Sequence, residues 1–329
     1  METADASAHA SAHAFVRAYA LPRDTVVVAT NAADVIALAD RLWSRAATNA
    51  DGDVVRLSVD VTEADERVHG AFAQEAWCVE HDAITVTAGR ALSARIEFEP
   101  PSAVARVTAD TLERDPSLAI RLLLEAPAAT LLARRRYQAL HAGTIVGPAG
   151  AVVVRGPSGA GKSTLVAAAV MSGLGTLGDE SVLVARDDAD ELIAAVCEVS
   201  VRTDTARLLA LPASAVPADS RAEPKQRLDL FGSLSPAARN ARRAATVLLG
   251  NRDRVPARLV ALSAREFVGA FAIGEIPQER WTADPSRVAE SWSGRAVYRL
   301  DGAADLDGAM ALITELASRA DAYVAGAAA

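Results

Sequence analysis

The nine residues Gly156 to Thr164, GPSGAGKST, constrain this chain more than any other segment. They fit the pattern G-x-x-x-x-G-K-[ST] and lie between an apolar run, residues 151–154, and a segment that is predicted to be a helix. Glycines at these positions allow the backbone N–H groups to turn inward, where they can surround a phosphate. The sequence therefore predicts an α/β domain with a phosphate-binding turn, which we call the glycine-rich loop.

Two residues of the glycine-rich loop, Lys162 and Ser163, have specific predicted roles. Lys162 is expected to reach the outer phosphates of a nucleoside triphosphate, and the Ser163 hydroxyl is expected to bind Mg²⁺. The chain contains 34 basic residues, of which only Lys162 and Lys225 are lysines. The predicted nucleotide-binding residues of the loop are Gly156, Ser158, Gly159, Ala160, Gly161, Lys162, Ser163 and Thr164.

Composition limits the partners and the compartment. The 329 residues are 51% hydrophobic, enough for a substantial core, and the net charge of −8 argues against binding nucleic acid. The two cysteines lack metal-ligand spacing, and no apolar run is long enough to cross a membrane. We expect a cytoplasmic protein that acts on a small molecule, a peptide or another protein.

The chain is predicted to contain two α/β domains after a disordered leader, residues 1–14. The N-terminal accessory domain, residues 15–138, is expected to open with a strand, residues 25–29, and a helix capped by Asn31. Residues 117–138 are expected to form a helix or helix pair that closes it. The larger catalytic domain, residues 139–325, is expected to begin with a hairpin that leads into the glycine-rich loop.

An acidic pair, Asp179 and Glu180, follows the loop helix in the segment LGDESVLV. A carboxylate at a strand tip beside a phosphate-binding loop can accept a proton or bind Mg²⁺. We predict Asp179 as the general base, and both Asp179 and Glu180 as metal ligands. The alternative for Asp179 is a solvated carboxylate at the end of a strand.

Three further residues are candidates for the site. His141, just before the loop strand, is predicted to contact the base or the transferred phosphate, and the alternative is a buried histidine bonded to a backbone carbonyl. Residues 211–226 are predicted to form a long surface loop. Lys225 and Arg227, at its end, are expected to close over the phosphates of the nucleotide, and the alternative is a solvated loop.

The segment LHAGTIVGPAGAVVVRGPSGAGKSTL, followed by LGDESVLV, resembles the catalytic domain of the HPr kinase/phosphorylase family. The likeness covers residues 140–184, with His141, the glycine-rich loop and the acidic pair at the family's motif positions. It implies a mixed sheet flanked by helices, ATP and Mg²⁺ as cofactors, and Asp179 as the proton acceptor. Glu180 replaces the family's second aspartate and its glycine-rich signature is missing here, so the resemblance favours related serine kinases over HPr kinases proper.

The leading hypothesis is a kinase that phosphorylates a hydroxyl, with serine favoured, on a peptide, a protein or an amino-acid-like small molecule. A P-loop NTPase that drives a conformational change is one alternative. A nucleotide-sensing module without phosphoryl transfer is another. By analogy with the relatives, a homo-oligomer is expected.

Overall fold

The computed structural model of the chain describes residues 13–43, 53–63, 75–194, 199–211, 225–228, 239–252, 256–271, 279 and 286–318. The predicted leader lies outside these residues except for residues 13 and 14. The chain divides into two compact units, Met1–Pro127 and Ala128–Ala329. This division falls inside the helix Ala126–Arg135, earlier than the predicted boundary at residue 138.

Among its described residues, the first unit contains one mixed seven-stranded sheet, made of β1 Phe15–Ala20, β2 Asp24–Thr30, β3 Asp53–Thr62, β4 Glu75–Val79, β5 Ala83–Ala88, β6 Leu92–Phe98 and β7 Pro101–Thr108. The strand order in the sheet is β1-β2-β3-β7-β6-β5-β4. Buried and exposed residues alternate along β6 and β7, as expected for strands with one covered face. The helix α1, Ala33–Trp43, packs against β1 and β2. Strands β1 and β7 were not predicted.

The Asn31 side chain does not cap α1. Its amide nitrogen donates to the Val61 carbonyl oxygen, and its amide oxygen accepts from the Val61 N–H, both at 2.8 Å. These two bonds continue the parallel pairing of β2 and β3 beyond its last residues. The predicted cap was therefore wrong, because a side chain that can pair with a neighbouring strand satisfies that backbone instead.

A helical segment links the last strand of the first unit to the second unit. It consists of α2 Ala109–Arg114, α3 Pro116–Ala119, a π-helical turn Ile120–Glu125 and α4 Ala126–Arg135. The predicted helix, residues 117–138, ran too far toward the C-terminus. Residues 137–140 pair with a neighbouring strand instead of continuing the helix.

The second unit is built on an eight-stranded mixed sheet and a separate strand pair. The main-sheet strands are β8 Tyr137–Leu140, β9 Gly143–Gly147, β10 Gly150–Arg155, β11 Val182–Ala185, β12 Glu191–Ala194, β15 Asn240–Leu249, β16 Arg258–Ala261 and β17 Val297–Asp301. The pair is β13 Val199–Arg202 with β14 Lys225–Leu228. The helices are α5 Lys162–Met171, α6 Thr203–Leu208, α7 Ala264–Ala270, α8 Ser286–Trp292 and α9 Leu306–Ser318.

Helices cover both faces of the main sheet. Val152 and Val154 of β10 pack into one core with residues of α5 and α9, while Ala151 and Val153 pack into a second core with residues of α7 and α8. The period of two along a strand sends alternate side chains to opposite faces, which explains the two cores. The prediction of an α/β fold with a mixed sheet flanked by helices is confirmed.

The helix α5, which follows the glycine-rich loop, is held from several sides. All residues from Leu165 to Val170 are buried, so apolar residues surround the helix axis. It packs against β9, β13 and α9. Burying one side chain of valine or leucine size contributes about 1.5–3 kcal/mol, so this packing gives the loop a firmly placed support.

Two details of the second unit concern the sequence predictions. The hairpin is present, because β9 pairs antiparallel with β10 from Gly147 opposite Gly150 to Gly143 opposite Val154. The long loop predicted for residues 211–226 extends two residues too far, since Lys225 and Gln226 belong to β14. Residues 212–224 lie outside the described ones.

Among the helices that the structure describes, none has the length and apolar character needed to cross a membrane.

Candidate functional site

The glycine-rich loop connects β10 directly to α5, as the sequence predicts. Lys162 is buried, with 6% of the residue exposed, and its Nζ donates to the carbonyl oxygens of Gly156 at 2.6 Å and Pro157 at 3.3 Å. The Ala160 N–H donates to the Pro157 carbonyl oxygen at 3.0 Å. The loop therefore curls around the ammonium group, and Ser158 and Gly159 remain exposed at its tip.

Two glycines give the loop its curvature. Gly159 and Gly161 have φ angles of +80° and +108°, a region that other residues enter only with strain. At either glycine, an added Cβ would have no atom within 4 Å, so the space beside the loop is open. Gly161 is also the N-cap of α5 and supplies no side-chain cap. A curled backbone, open space beside Gly159 and Gly161, and a helix start are together suited to holding a phosphate group.

The helix α5 and the backbone of the acidic pair both approach Gly143 of β9. The Thr144 N–H of β9 donates to the Gly178 carbonyl oxygen at 3.0 Å, which anchors the segment just before Asp179. An added Cβ at Gly143 would lie 2.7 Å from Val166 Cγ2 on α5 and 3.7 Å from Asp179 Cα. Only a residue without a side chain lets the helix, the strand and the acidic segment approach this closely.

The Asp179 carboxylate is buried, with 4% of the residue exposed. Its Oδ1 accepts a hydrogen bond from the Ser200 N–H of β13 at 3.2 Å. The alternative of a solvated strand-end carboxylate is therefore wrong. A buried carboxylate that is oriented by a backbone N–H is suited to accepting a proton from a bound molecule.

The His141 ring contacts the backbone of the second acid. Its Nδ1 lies 2.9 Å from the Glu180 carbonyl oxygen, and because a carbonyl only accepts, Nδ1 carries the proton. In the neutral ring, Nε2 is then the acceptor. The carbonyl bond fits the alternative of a buried histidine bonded to a backbone carbonyl, although His141 is only half-buried, and it places His141 beside the acidic pair.

A buried ion pair joins the start of the glycine-rich loop to His141. Arg155, the last residue of β10, donates from Nη1 to Glu279 Oε1 at 2.6 Å. The same carboxylate oxygen accepts the His141 N–H at 3.2 Å. The end of β10 and the backbone directly after β8 are thereby bonded to the same carboxylate.

The remaining predicted residues have other surroundings. The Thr164 hydroxyl lies 3.1 Å from the Thr205 hydroxyl of α6, so it links the loop helix to α6. Lys225 and Arg227 lie on β14, opposite Arg202 and Ser200 of β13 in the strand register. The Ser200 N–H also donates to Asp179, so β14 pairs with the strand that contacts the predicted base.

No group of three or more His, Cys, Asp or Glu side chains is arranged to bind a metal among the residues that the structure describes. Mg²⁺ in nucleotide sites usually takes only one or two protein ligands and completes its shell with phosphate oxygens and water. The Ser163 hydroxyl and the acidic pair offer oxygen donors of this kind. They remain the predicted Mg²⁺ ligands.

Sequence reasoning missed Arg155, Glu279 and Arg252. Arg252 follows β15, and its Nη1 donates to the Gly159 carbonyl oxygen at 2.9 Å. Arg252 and Glu279 each lie beside other charged residues, in the segments NRDR and QER, neither of which is a recognisable motif. The only available sequence signal was the position of Arg155 immediately before the loop.

The structure thus defines an α/β protein in which a glycine-rich loop joins a sheet strand to a helix, with the buried carboxylate of Asp179 near that helix. No model of a known protein family matches the chain, and no curated protein matches it significantly.

Proposed function

We propose that this chain is an ATP-dependent kinase that transfers the γ-phosphoryl group to a hydroxyl, with serine of a peptide, a protein or a small molecule as the favoured acceptor. The observation that carries the proposal is the loop that curls around the Lys162 ammonium, with a buried carboxylate, that of Asp179, near the helix that begins at this loop. Phosphoryl transfer requires these two features: cationic support for the phosphates, and a group that accepts the proton of the nucleophile.

In the proposed reaction, the acceptor oxygen forms a bond to the γ-phosphorus while the bond from that phosphorus to the β,γ-bridging oxygen breaks. The electron pair of the broken bond stays on the bridging oxygen of ADP. The hydroxyl proton moves to the Asp179 carboxylate. Lys162 stabilises the negative charge on the phosphate oxygens.

The surrounding residues keep these groups in position. The Ser200 N–H orients the Asp179 carboxylate, and Thr144 holds the preceding backbone through Gly178. Positioning of this kind reduces the entropy that is lost on reaching the transition state. Mg²⁺, held by the Ser163 hydroxyl together with Asp179 or Glu180, would neutralise phosphate charge.

The test is mass spectrometry of acceptors after incubation with Mg-ATP. The panel contains free serine, free threonine and serine-containing peptides, and the expected product is an acceptor that has gained one phosphoryl group. Release of ADP without a modified acceptor would support the NTPase alternative. Binding of ATP without any turnover would support the nucleotide-sensing alternative.

Three variants assign the roles. Asp179→Asn is expected to abolish transfer while it keeps nucleotide affinity, and Asp204→Asn, an exposed carboxylate on α6, is the matched control. Lys162→Ala is expected to lose nucleotide binding and turnover but to remain folded. Transfer at the wild-type rate in Asp179→Asn would exclude Asp179 as the base, and unchanged ATP binding in Lys162→Ala would exclude the nucleotide site.

A further inference from the structure

Arg252 reaches the glycine-rich loop from the neighbouring strand. β15 runs parallel to β10, with Leu248 opposite Arg155, so both strands end at the same edge of the sheet. The loop follows β10 at this edge, and Arg252 comes three residues after the end of β15. From there, its Nη1 donates to the Gly159 carbonyl oxygen at the tip of the loop, at 2.9 Å.

The backbone that carries Arg252 is held by the end of β17. The Gly250 N–H donates to the Leu300 carbonyl oxygen, and the Gly302 N–H donates to the Asn251 carbonyl oxygen, both at 2.9 Å. The Asn251 N–H also bonds to the Asp301 carboxylate. These bonds hold the backbone in place up to Asn251, the residue before Arg252, whereas the Arg252 side chain is exposed.

The guanidinium of Arg252 has a weak partner in this structure. Its contact is a neutral carbonyl oxygen, and within the described part of the chain it forms no ion pair. Phosphate oxygens are negatively charged, and the planar guanidinium can bind two of them at once, so this side chain binds a phosphate more strongly than a single neutral carbonyl oxygen. A triphosphate held in the loop would therefore compete successfully with the Gly159 carbonyl for this side chain.

We propose that Arg252 is a catalytic residue that this chain supplies to its own nucleotide. Its guanidinium leaves the Gly159 carbonyl and binds oxygens of the β- and γ-phosphates. There it stabilises the charge that collects on the bridging oxygen as the bond to the γ-phosphorus breaks. This inference rests on the proposed function and adds a second cation to the one supplied by Lys162.

The experiment compares Arg252→Ala and Arg252→Lys with Arg265→Ala, an exposed arginine on α7 that serves as the matched control. Calorimetry measures the affinities for ADP and for a non-hydrolysable ATP analogue, and steady-state kinetics measures ADP formation. In Arg252→Ala, we expect analogue affinity to fall about tenfold or more, and ADP affinity to fall less because ADP offers only the β-phosphate. We expect kcat to fall by at least about 100-fold, with little recovery in Arg252→Lys.

The outcomes separate this inference from the proposed function. A wild-type protein that binds neither nucleotide overturns the proposed function. A wild-type protein that binds both, with an unchanged ratio of analogue to ADP affinity in Arg252→Ala, overturns only the role of Arg252. Equal losses for the two nucleotides without a fall in kcat also overturn it, because they would make Arg252 a brace on the loop.

Discussion

Arg155 and Glu279 form a buried ion pair in which Nη1 of the arginine lies 2.6 Å from Oε1 of the glutamate. Their side chains are 4% and 0% exposed. The guanidinium also stacks on Phe271, with 4.2 Å between Cζ and the ring centroid. Because the same carboxylate accepts the His141 N–H, this pair connects the end of β10, at the start of the glycine-rich loop, with the backbone that directly follows β8.

Glu279→Ala is expected to lower the free energy of unfolding by about 3–5 kcal/mol, because it leaves a buried guanidinium without this carboxylate. The double variant Arg155→Met with Glu279→Leu should recover much of the loss, since apolar side chains remove the cost of burying the charges. Urea unfolding of both variants measures the two values. A loss below about 1 kcal/mol in Glu279→Ala would contradict a buried, stabilising role, because exposed pairs contribute this little.

Gly161→Ala and Gly173→Ala form a matched pair, because both glycines have positive φ angles and open space at the Cβ position. Each substitution should cost about 1–2 kcal/mol of stability from backbone strain. Only Gly161→Ala should also weaken ATP binding, since Gly161 belongs to the glycine-rich loop while Gly173 follows the far end of α5. Urea unfolding and calorimetry separate the two effects, and equal ATP affinities would argue against the loop as the nucleotide site.

Gly143→Ala is expected to reduce stability by about 1–3 kcal/mol, because its Cβ would lie 2.7 Å from Val166 Cγ2. The strain should also displace the Asp179 segment and lower phosphoryl transfer. Val166→Ala removes the clashing methyl group, so the double variant should regain part of both properties. Additive losses in this double-mutant cycle would show that the contact between β9 and α5 does not position Asp179.

The hydrogen bonds and charge of Arg299, followed by Arg258 and the Asn251 N–H, hold the pKa of Asp301 below its ordinary value of 3.8. A carboxyl whose pKa is lower in the folded state stabilises the fold above its unfolded pKa. This contribution should disappear as the pH falls from about 4 through the folded pKa. Unfolding measured between pH 7 and pH 2 should show a shallower decline in Asp301→Asn than in the wild type, and identical slopes would contradict the prediction.

The predictions from sequence that the structure confirms depend on short stretches of chain. The order strand, glycine-rich loop and helix follows from the apolar run, residues 151–154, the glycines and the apolar residues 165–170. The β9–β10 hairpin follows from two apolar runs separated by a turn. Predictions that required knowledge of neighbouring strands failed, as with the Asn31 cap, the end of the helix after Arg135 and the assignment of Lys225 to a loop.

The sequence by itself determined the α/β class and located the glycine-rich loop, because both arise from local periodicity and from the steric freedom of glycine. Only the tertiary structure brought Glu279 to Arg155 and His141, which are 124 and 138 residues away along the chain. It also brought Arg252 to Gly159 across 93 residues. Such contacts leave no periodic trace in a sequence, because the register and order of strands decide which isolated charges meet at one edge of the sheet.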